Sequence, residues 1–241
     1  MKAIAIIPAR GGSKRIPGKN IRLFAGLPII AYSIRAAQQS QLFSRVIVST
    51  DSEAIAQVAR HYGAEVPFMR PSELADDYTD TDAVVLHALN WLIKSDDTPN
   101  YFCCIYPTAP FVRPDILRRG FELLVAANAA TTFAVTTYPY TIFRSLRIND
   151  HGRVELFWPE NFSKRSQDLP HAYHDAGQFY WANTERYLIE KRLFSSDSLP
   201  VVIPRSLVQD IDTPEDWEVA EQIYLAQQLV AATTAPNAKG V

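Results

Sequence analysis

The feature that most constrains this chain is a series of short, apolar, β-rich runs set between stretches of helical periodicity. The runs are Ala3–Pro8, Arg45–Thr50, Tyr101–Tyr106, Thr131–Thr137, Gln178–Ala182 and Pro200–Pro204. Segments such as AIAII and VIV are apolar at every position, which suits strands covered on both faces of a parallel sheet. Between them Ile30, Ile34 and Ala37 recur at helical spacing, as do Ile55, Val58, Ala59 and Tyr62. Val85, Ala88, Leu89 and Leu92 form a third stripe, and Trp217, Ala220, Ile223 and Tyr224 a fourth. Thr213 before Pro214, with Asp216 at the third helical position, predicts a helix start. The alternation predicts an α/β chain whose mainly parallel sheet carries helices on both faces and binds ligands at the carboxyl ends of its strands.

One stretch departs from the alternation. Arg144–Ile148 and Arg153–Phe157 flank the turn sequence NDHG and predict a β-hairpin. With the polar segment that follows, residues 139–173 read as an excursion from a single domain spanning 1–230, either a dimerisation arm or a lid. From Ala231 the chain lacks an apolar face, and 231–241 read as a flexible tail.

Composition narrows the function classes. Of 241 residues 47% are hydrophobic, enough for a sizeable core, and the net charge is −2. That balance sets up no global field for nucleic acid, so any polyanion must meet a local cluster. The first apolar run is too short for a signal peptide, and no window reaches the ~20 apolar residues of a membrane span. Cys103 and Cys104 are adjacent and lack metal-ligand or redox spacing, which reads as buried thiols in a reducing compartment. A cytoplasmic protein with neither nucleic acid nor membrane as partner is expected.

The local cluster follows the first strand at once. Residues 9–20 read ARGGSKRIPGKN, with Arg10, Lys14, Arg15 and Lys19, three glycines and no acid. Glycines let backbone N–H groups of Ala9, Gly11, Gly12 and Ser13 approach phosphate oxygens, while Arg and Lys neutralise charge. Five residues, not four, separate Gly12 from Gly18, and Asn20 stands where a Walker loop needs Ser or Thr. GxGxxG is absent too, so the loop points to a triphosphate rather than a dinucleotide. The plainer alternative is a solvated basic turn.

Near the other end, Asp210 and Asp212 are two residues apart in an extended segment, so their carboxylates share a face. Mg²⁺ commonly takes one or two carboxylates plus substrate phosphates and water. Alternatively, Asp212 supports the cap of the helix at Pro214 and Asp210 is solvated.

IPARGGSKRIPGKN resembles the signature loop of the CMP-sialic acid synthetases, as do STD (Ser49–Asp51), MRP (Met69–Pro71) and DIDTPED (Asp210–Asp216). YPTAPFVRP (Tyr106–Pro114) is similar to that family's Q-P-T-S-P-L-R segment. The resemblance runs from about Ala3 to Leu229. It implies a Rossmann-like nucleotide-diphospho-sugar transferase fold, CTP as donor, Mg²⁺, a nine-carbon 2-keto sugar acid as acceptor and a homodimer whose excursion reaches the partner. It further implies that Arg10 and Lys19 hold the CTP phosphates, Arg70 and Thr81 lie near the nucleoside, and Asp210 and Asp212 hold the metal. Arg10, Lys19 and Asp212 would then carry catalysis, with Asp212 helping to deprotonate the attacking hydroxyl directly or through a metal-bound water.

The acceptor region departs from the sialic acid enzymes, which carry R-x-N-G where this chain has YHDAGQFYW (Tyr173–Trp181). Tyr106 replaces their Gln. YPTAP and HDAGQFYW together look like the pseudaminic acid cytidylyltransferases, which implies an acceptor site drawn from Tyr106, Arg165, Tyr173, His174, Asp175 and Gln178. Arg165 reads equally as a surface residue, and His174 as a structural histidine bonded to Asp175. Phe179, Tyr180 and Trp181 read as core. Two other readings stay open: the same reaction on N-acetylneuraminate, legionaminate or 3-deoxy-manno-octulosonate, and a non-catalytic CTP- or sugar-sensing protein.

Overall fold

A computed structural model describes residues 1–234. The strands are β1 (Ala3–Pro8), β2 (Leu23–Phe24), β3 (Leu27–Pro28), β4 (Arg45–Ser49), β5 (Tyr101–Ile105), β6 (Thr131–Thr137), β7 (Leu146–Ile148), β8 (Val154–Leu156), β9 (Tyr173–Asn183) and β10 (Ser198–Val202). The α-helices are α1 (Ile29–Ser40), α2 (Glu53–His61), α3 (Thr81–Lys94), α4 (Pro114–Ala127), α5 (Thr184–Glu190) and α6 (Pro214–Thr234). Six strands form one sheet in the order β10-β6-β9-β5-β1-β4. β4, β1 and β5 pair in parallel, as do β10 and β6, while β9 runs antiparallel between β5 and β6. The amino end of β9 therefore joins the carboxyl ends of the other five strands along one edge.

Helices cover both faces, as the apolar runs require. On one face Ile30 and Ile34 of α1, Ile55 and Ala59 of α2, and Leu117 and Leu124 of α4 pack under Ala5, Ile7, Val48 and Trp181. On the other, Val85, Leu89 and Leu92 of α3 and Tyr187 pack on Ile4, Ile6, Phe102 and Tyr180. Phe24, Ile29, Tyr32, Ile211 and Trp217 form a third cluster that fastens α6 beside α1. Cys103 and Cys104 are free and fully buried, and desolvation raises both thiol pKa values. His87 packs edge-on against Phe68 with ring centroids 5.0 Å apart, in keeping with a structural role.

Several boundaries differ from the sequence reading. β9 begins five residues before Gln178, because Val135–Thr137 of β6 pair with Tyr173–Asp175 across a register shift. β10 starts at Ser198, where its hydroxyl bonds Thr131 Oγ1 at 2.6 Å, rather than at Pro200. α6 continues past Ala231 to Thr234, and the rest of the expected tail, 235–241, lies outside the described residues. The hairpin forms as β7 and β8, one residue or two shorter at each outer end than expected, with Arg144 in a 3-10 turn instead.

Candidate active site

The basic loop leaves β1 and is fixed from behind by its own backbone. Ala9 N donates to Ser49 O at 2.9 Å, Gly11 N to Asp51 Oδ1 at 2.8 Å, and Asn20 Nδ2 to Arg10 O at 2.9 Å. Gly18 turns the chain with φ +63°, a left-handed conformation that suits glycine. The segment at Ser49–Asp51 thus shapes the loop rather than acting alone. Arg70 joins the same edge. Its N–H donates to Thr50 O at 2.7 Å, and its buried guanidinium donates to Ser49 Oγ, Ser49 O and Leu74 O. Burial brings the Arg70 pKa down to about 10, which leaves it protonated at neutral pH.

These segments wall a cavity of about 700 Å³ at the carboxyl edge of the sheet. Arg10, Ser13, Lys19, Arg70, Thr81, Tyr106 and Asp212 line it, so seven expected residues meet there. The mouth of α3 opens beside Thr81. Asp80 caps that helix by accepting from Ala83 N at 2.8 Å, and the helix dipole adds a partial positive charge at the cavity. Ala9, Gly11 and Gly12, also expected at the nucleotide, are not among the lining residues. A Cβ at Gly12 would meet nothing within 4 Å, so the backbone there is open to approach.

Every cation of the loop is paired. Arg10 Nη1 donates to Asp77 Oδ1 and Asp76 O, each at 2.7 Å, and Lys14 also pairs with Asp77. Arg15 and Lys19 reach Asp212 Oδ1 at 2.9 and 3.4 Å. The lysine and arginine partners hold the Asp77 carboxyl below its ordinary range. Asp212 does not cap α6. Thr213 and Asp216 do so reciprocally, Thr213 N to Asp216 Oδ2 at 2.7 Å and Asp216 N to Thr213 Oγ1 at 3.2 Å. Asp210 is exposed and outside the cavity lining. Desolvation first, and the Asp212 charge second, raise its pKa.

The expected acceptor residues are spread more widely. Tyr106 is in the cavity, its hydroxyl 3.2 Å from Thr81 Oγ1. Arg165 is exposed and paired with Asp168 at 2.9 Å. Tyr173 is exposed, and His174 Nδ1 meets the Asp175 carbonyl oxygen at 2.9 Å, a backbone tether rather than a bond to the carboxylate. Gln178 is buried, with Nε2 donating to Leu207 O and Oε1 without a partner. Sequence reasoning missed Asp77, Thr79 and Asp80, which line the cavity from the acidic loop before α3. It also passed over Tyr180, whose hydroxyl donates to the Asp175 carboxylate.

The arrangement suits an anionic ligand bearing several phosphates, with carboxylates available beside it. Residues 4–234 match the family described as cytidylyltransferase. The chain belongs to the cytidylyltransferase family. This cytidylyltransferase is 44% identical over 224 residues to the pseudaminic acid cytidylyltransferase of Campylobacter jejuni, covering 93% of this chain and 97% of that one. It is 36% identical to the CMP-N,N'-diacetyllegionaminic acid synthase of Legionella pneumophila, covering 95% and 98% of the two chains. Among solved structures, a CMP:2-keto-3-deoxy-manno-octonic acid synthetase complexed with CTP superposes with a TM-score of 0.70 at 16% identity, covering 95% of this chain and all of that one. That likeness bears on the fold alone, and it agrees with the α/β nucleotidyltransferase architecture expected from sequence. No helix among the described residues is long and apolar enough to cross a membrane.

Proposed function

We propose that this cytidylyltransferase transfers CMP from CTP to the anomeric hydroxyl of pseudaminic acid, releasing pyrophosphate. The observation that carries the chemistry is the meeting of Arg10, Lys19, Thr81 and Asp212 in one cavity. The acceptor rests on the likeness to the Campylobacter jejuni enzyme, close over nearly the whole of both chains.

The anomeric oxygen bonds the α-phosphorus while the bond to the β-phosphate oxygen breaks in line. Arg10, Lys14, Arg15 and Lys19 take up the charge on the phosphates, giving up their present carboxylate partners to do so. Catalysis is then mainly positioning and electrostatics. Asp212 takes the hydroxyl proton as the new bond forms. Asp210 and Asp212 fit a Mg²⁺ ion. Both offer hard oxygen donors, and the Asp212 charge adds, after desolvation, to the raised pKa of Asp210. When bound, Mg²⁺ would neutralise phosphate charge and orient the triphosphate. Among the described residues no group of three or more His, Cys, Asp or Glu side chains is placed to hold a metal, so its shell would be completed by phosphates and water.

The reading extends to assembly and setting. Leu146, Ile148, Val154, Phe157 and Phe162 leave an apolar face on the excursion, which we assign to a homodimer interface. A cytoplasmic setting is supported by the two free buried thiols. The product is an activated glycosyl donor, fitted to surface glycan synthesis.

The test is pyrophosphate release from CTP and Mg²⁺ with pseudaminic, legionaminic, N-acetylneuraminic and 3-deoxy-manno-octulosonic acids. The highest kcat/KM is expected for pseudaminic acid, and a higher value for another sugar reassigns the acceptor. Sedimentation of the purified protein as a monomer would remove the dimer assignment.

A further inference from the structure

Asp212 is held by Lys19 and Arg15, but no hydrogen bond or ion pair among the described residues holds the Asp210 carboxylate. Its aim is set by the backbone, and so by the two points at which the chain around it is fixed. The later point is Ile211, 2% exposed in the cluster with Phe24 and Trp217. The earlier point is Leu207, whose carbonyl oxygen accepts from Gln178 Nε2. A side chain packed on the core fixes where a residue sits, but not which way its carbonyl points. The bond from Gln178 fixes that direction, and the planar peptide carries it on to the N–H and Cα of Val208. Val208 then leaves in extended form, φ −121° and ψ +116°, with Asp210 two residues on. Gln227 Nε2 holds the preceding carbonyl, Ser206 O, at 2.7 Å.

Gln178 is built for this one bond. It is 3% exposed and does not line the cavity. Its own carbonyl accepts from Tyr106 N at 2.8 Å, which ties it to the cavity wall just past β5. Its Oε1 is buried without a partner. The amide cannot be turned over to relieve this, because Leu207 O only accepts and Nε2 must face it. An acceptor left unpaired in the interior is costly, and an apolar side chain of similar size would avoid that cost. Packing alone therefore does not account for an amide here, whereas the hold on Leu207 does.

We propose that Gln178 is a positioning residue that aims Asp210 at the metal ion by fixing the Leu207 carbonyl, and that it does not touch the sugar. This rests on the reading of Asp210 and Asp212 as the carboxylates that hold Mg²⁺. The strand beside the cavity wall and the carboxylate segment before α6 are then aligned through one side chain.

The experiment compares wild type, Gln178→Met, Asp210→Ala and the double variant in the full-length enzyme. Three quantities are read: the Mg²⁺ concentration for half-maximal rate, the sugar KM, and Mn²⁺ binding to enzyme and CTP without sugar, followed by the paramagnetic resonance of free Mn²⁺. Gln178→Met is expected to raise the Mg²⁺ requirement and the Mn²⁺ Kd about five- to tenfold, as the loss of support behind a metal ligand does. The sugar KM is expected to stay within about two-fold of wild type, and the Tm within about 3 °C, since the orphaned Oε1 leaves with the bond. The double variant is expected to match Asp210→Ala alone, because the two residues act as a unit. Gln178→Asn, which keeps the amide but shortens its reach, is expected to shift both metal constants the same way. Metal constants unchanged in either Gln178 variant, a change confined to the sugar KM, or effects additive with Asp210→Ala would overturn the proposal. Asp210→Ala binding Mn²⁺ as wild type does would instead sink the reading of the carboxylate pair, and this inference with it.

Discussion

Lys19 Nζ lies 3.4 Å from Asp212 Oδ1 although 193 residues separate them in the chain. The contact joins the loop after β1 to the segment before α6, and the Lys19 side chain is only 16% exposed. Arg15 shares the same carboxylate oxygen. The protein thereby keeps its cationic loop and its carboxylate in one place before any ligand arrives. Two cations on one oxygen also leave Asp212 Oδ2 outside these pairs.

Asp212→Ala should lower kcat by about 10³-fold or more, since it removes a group acting on the reacting centre. The fold should survive, because the Asp212 side chain is 37% exposed and the α6 cap is made by Thr213 and Asp216. Pyrophosphate release and a thermal melt check the two halves. Near-normal turnover in Mg²⁺ would remove Asp212 from the chemistry.

Arg10 and Asp77 predict opposite effects on the same parameter. Arg10→Ala should lower kcat/KM for CTP about 10- to 100-fold, the worth of a charge-assisted bond to phosphate. Asp77 occupies Arg10 and Lys14 as long as the phosphates are absent. Asp77→Asn should therefore lower the CTP KM, by about two- to five-fold for an exposed pair of this kind. A raised KM in Asp77→Asn would mean that the carboxylate helps to hold the nucleotide instead of competing with it.

Much of this was legible in the sequence because the governing signals are local. Continuous apolar runs give buried parallel strands, and a glycine-rich basic loop after the first strand lands where the fold opens. Arg10, Lys19, Arg70, Thr81, Tyr106 and Asp212 duly line one cavity. Asp77 was not legible. Its segment, ELADDYTD, reads as a solvated acidic loop, and only the tertiary fold brings it across to Arg10 and Lys14. Tyr180 was hidden for a different reason. The run FYW reads as core, and the Tyr180 ring is core, but its hydroxyl donates to the Asp175 carboxylate, a contact that no periodicity reports. His174 shows the limit from the other side, since its neighbour Asp175 meets it through the backbone carbonyl.

Asp97 predicts an acid-dependent loss of stability. It pairs with Lys2 before β1 and with Arg45 at the start of β4, the latter at 2.5 Å, so one carboxylate ties together the ends of two neighbouring strands. Hydrogen bonds from Lys2 first and Arg45 second hold its pKa below the ordinary carboxylate value. A depressed folded pKa means that the unfolded chain binds the proton more readily. The stabilisation is thus complete above the ordinary carboxyl range and is lost as pH falls through the lower, folded value. Asp97→Asn should lower the Tm at pH 7 by about 1–4 °C, and the gap to wild type should close toward pH 3. A gap that persists unchanged in acid would mean that Asp97 acts through packing rather than charge.

Gly120 tests the seam between α4 and the sheet. A Cβ at this position would stand 3.0 Å from Phe179 Cε2 and 3.1 Å from Trp181 Cδ1, two fully buried rings. Trp181 cannot turn away cheaply, since its indole N–H donates to Leu117 O at 3.0 Å and its ring stacks on Phe43 with centroids 4.9 Å apart. Thr132 Oγ1 also donates to the Gly120 carbonyl at 2.9 Å, so the helix is pinned to β6 at the same point. Gly120→Val should therefore overpack the seam and destabilise the chain by about 1–3 kcal/mol, more than the modest helix-propensity gain of replacing a glycine can offset. Thermal melts should show a Tm lowered by roughly 2–4 °C per kcal/mol for a chain of this length. The KM values of the surviving folded enzyme should stay unchanged, because the seam lies under the sheet and none of its residues lines the cavity. A Tm equal to wild type would show that α4 can slide off the sheet, and that the close approach at Gly120 is not what fixes it there.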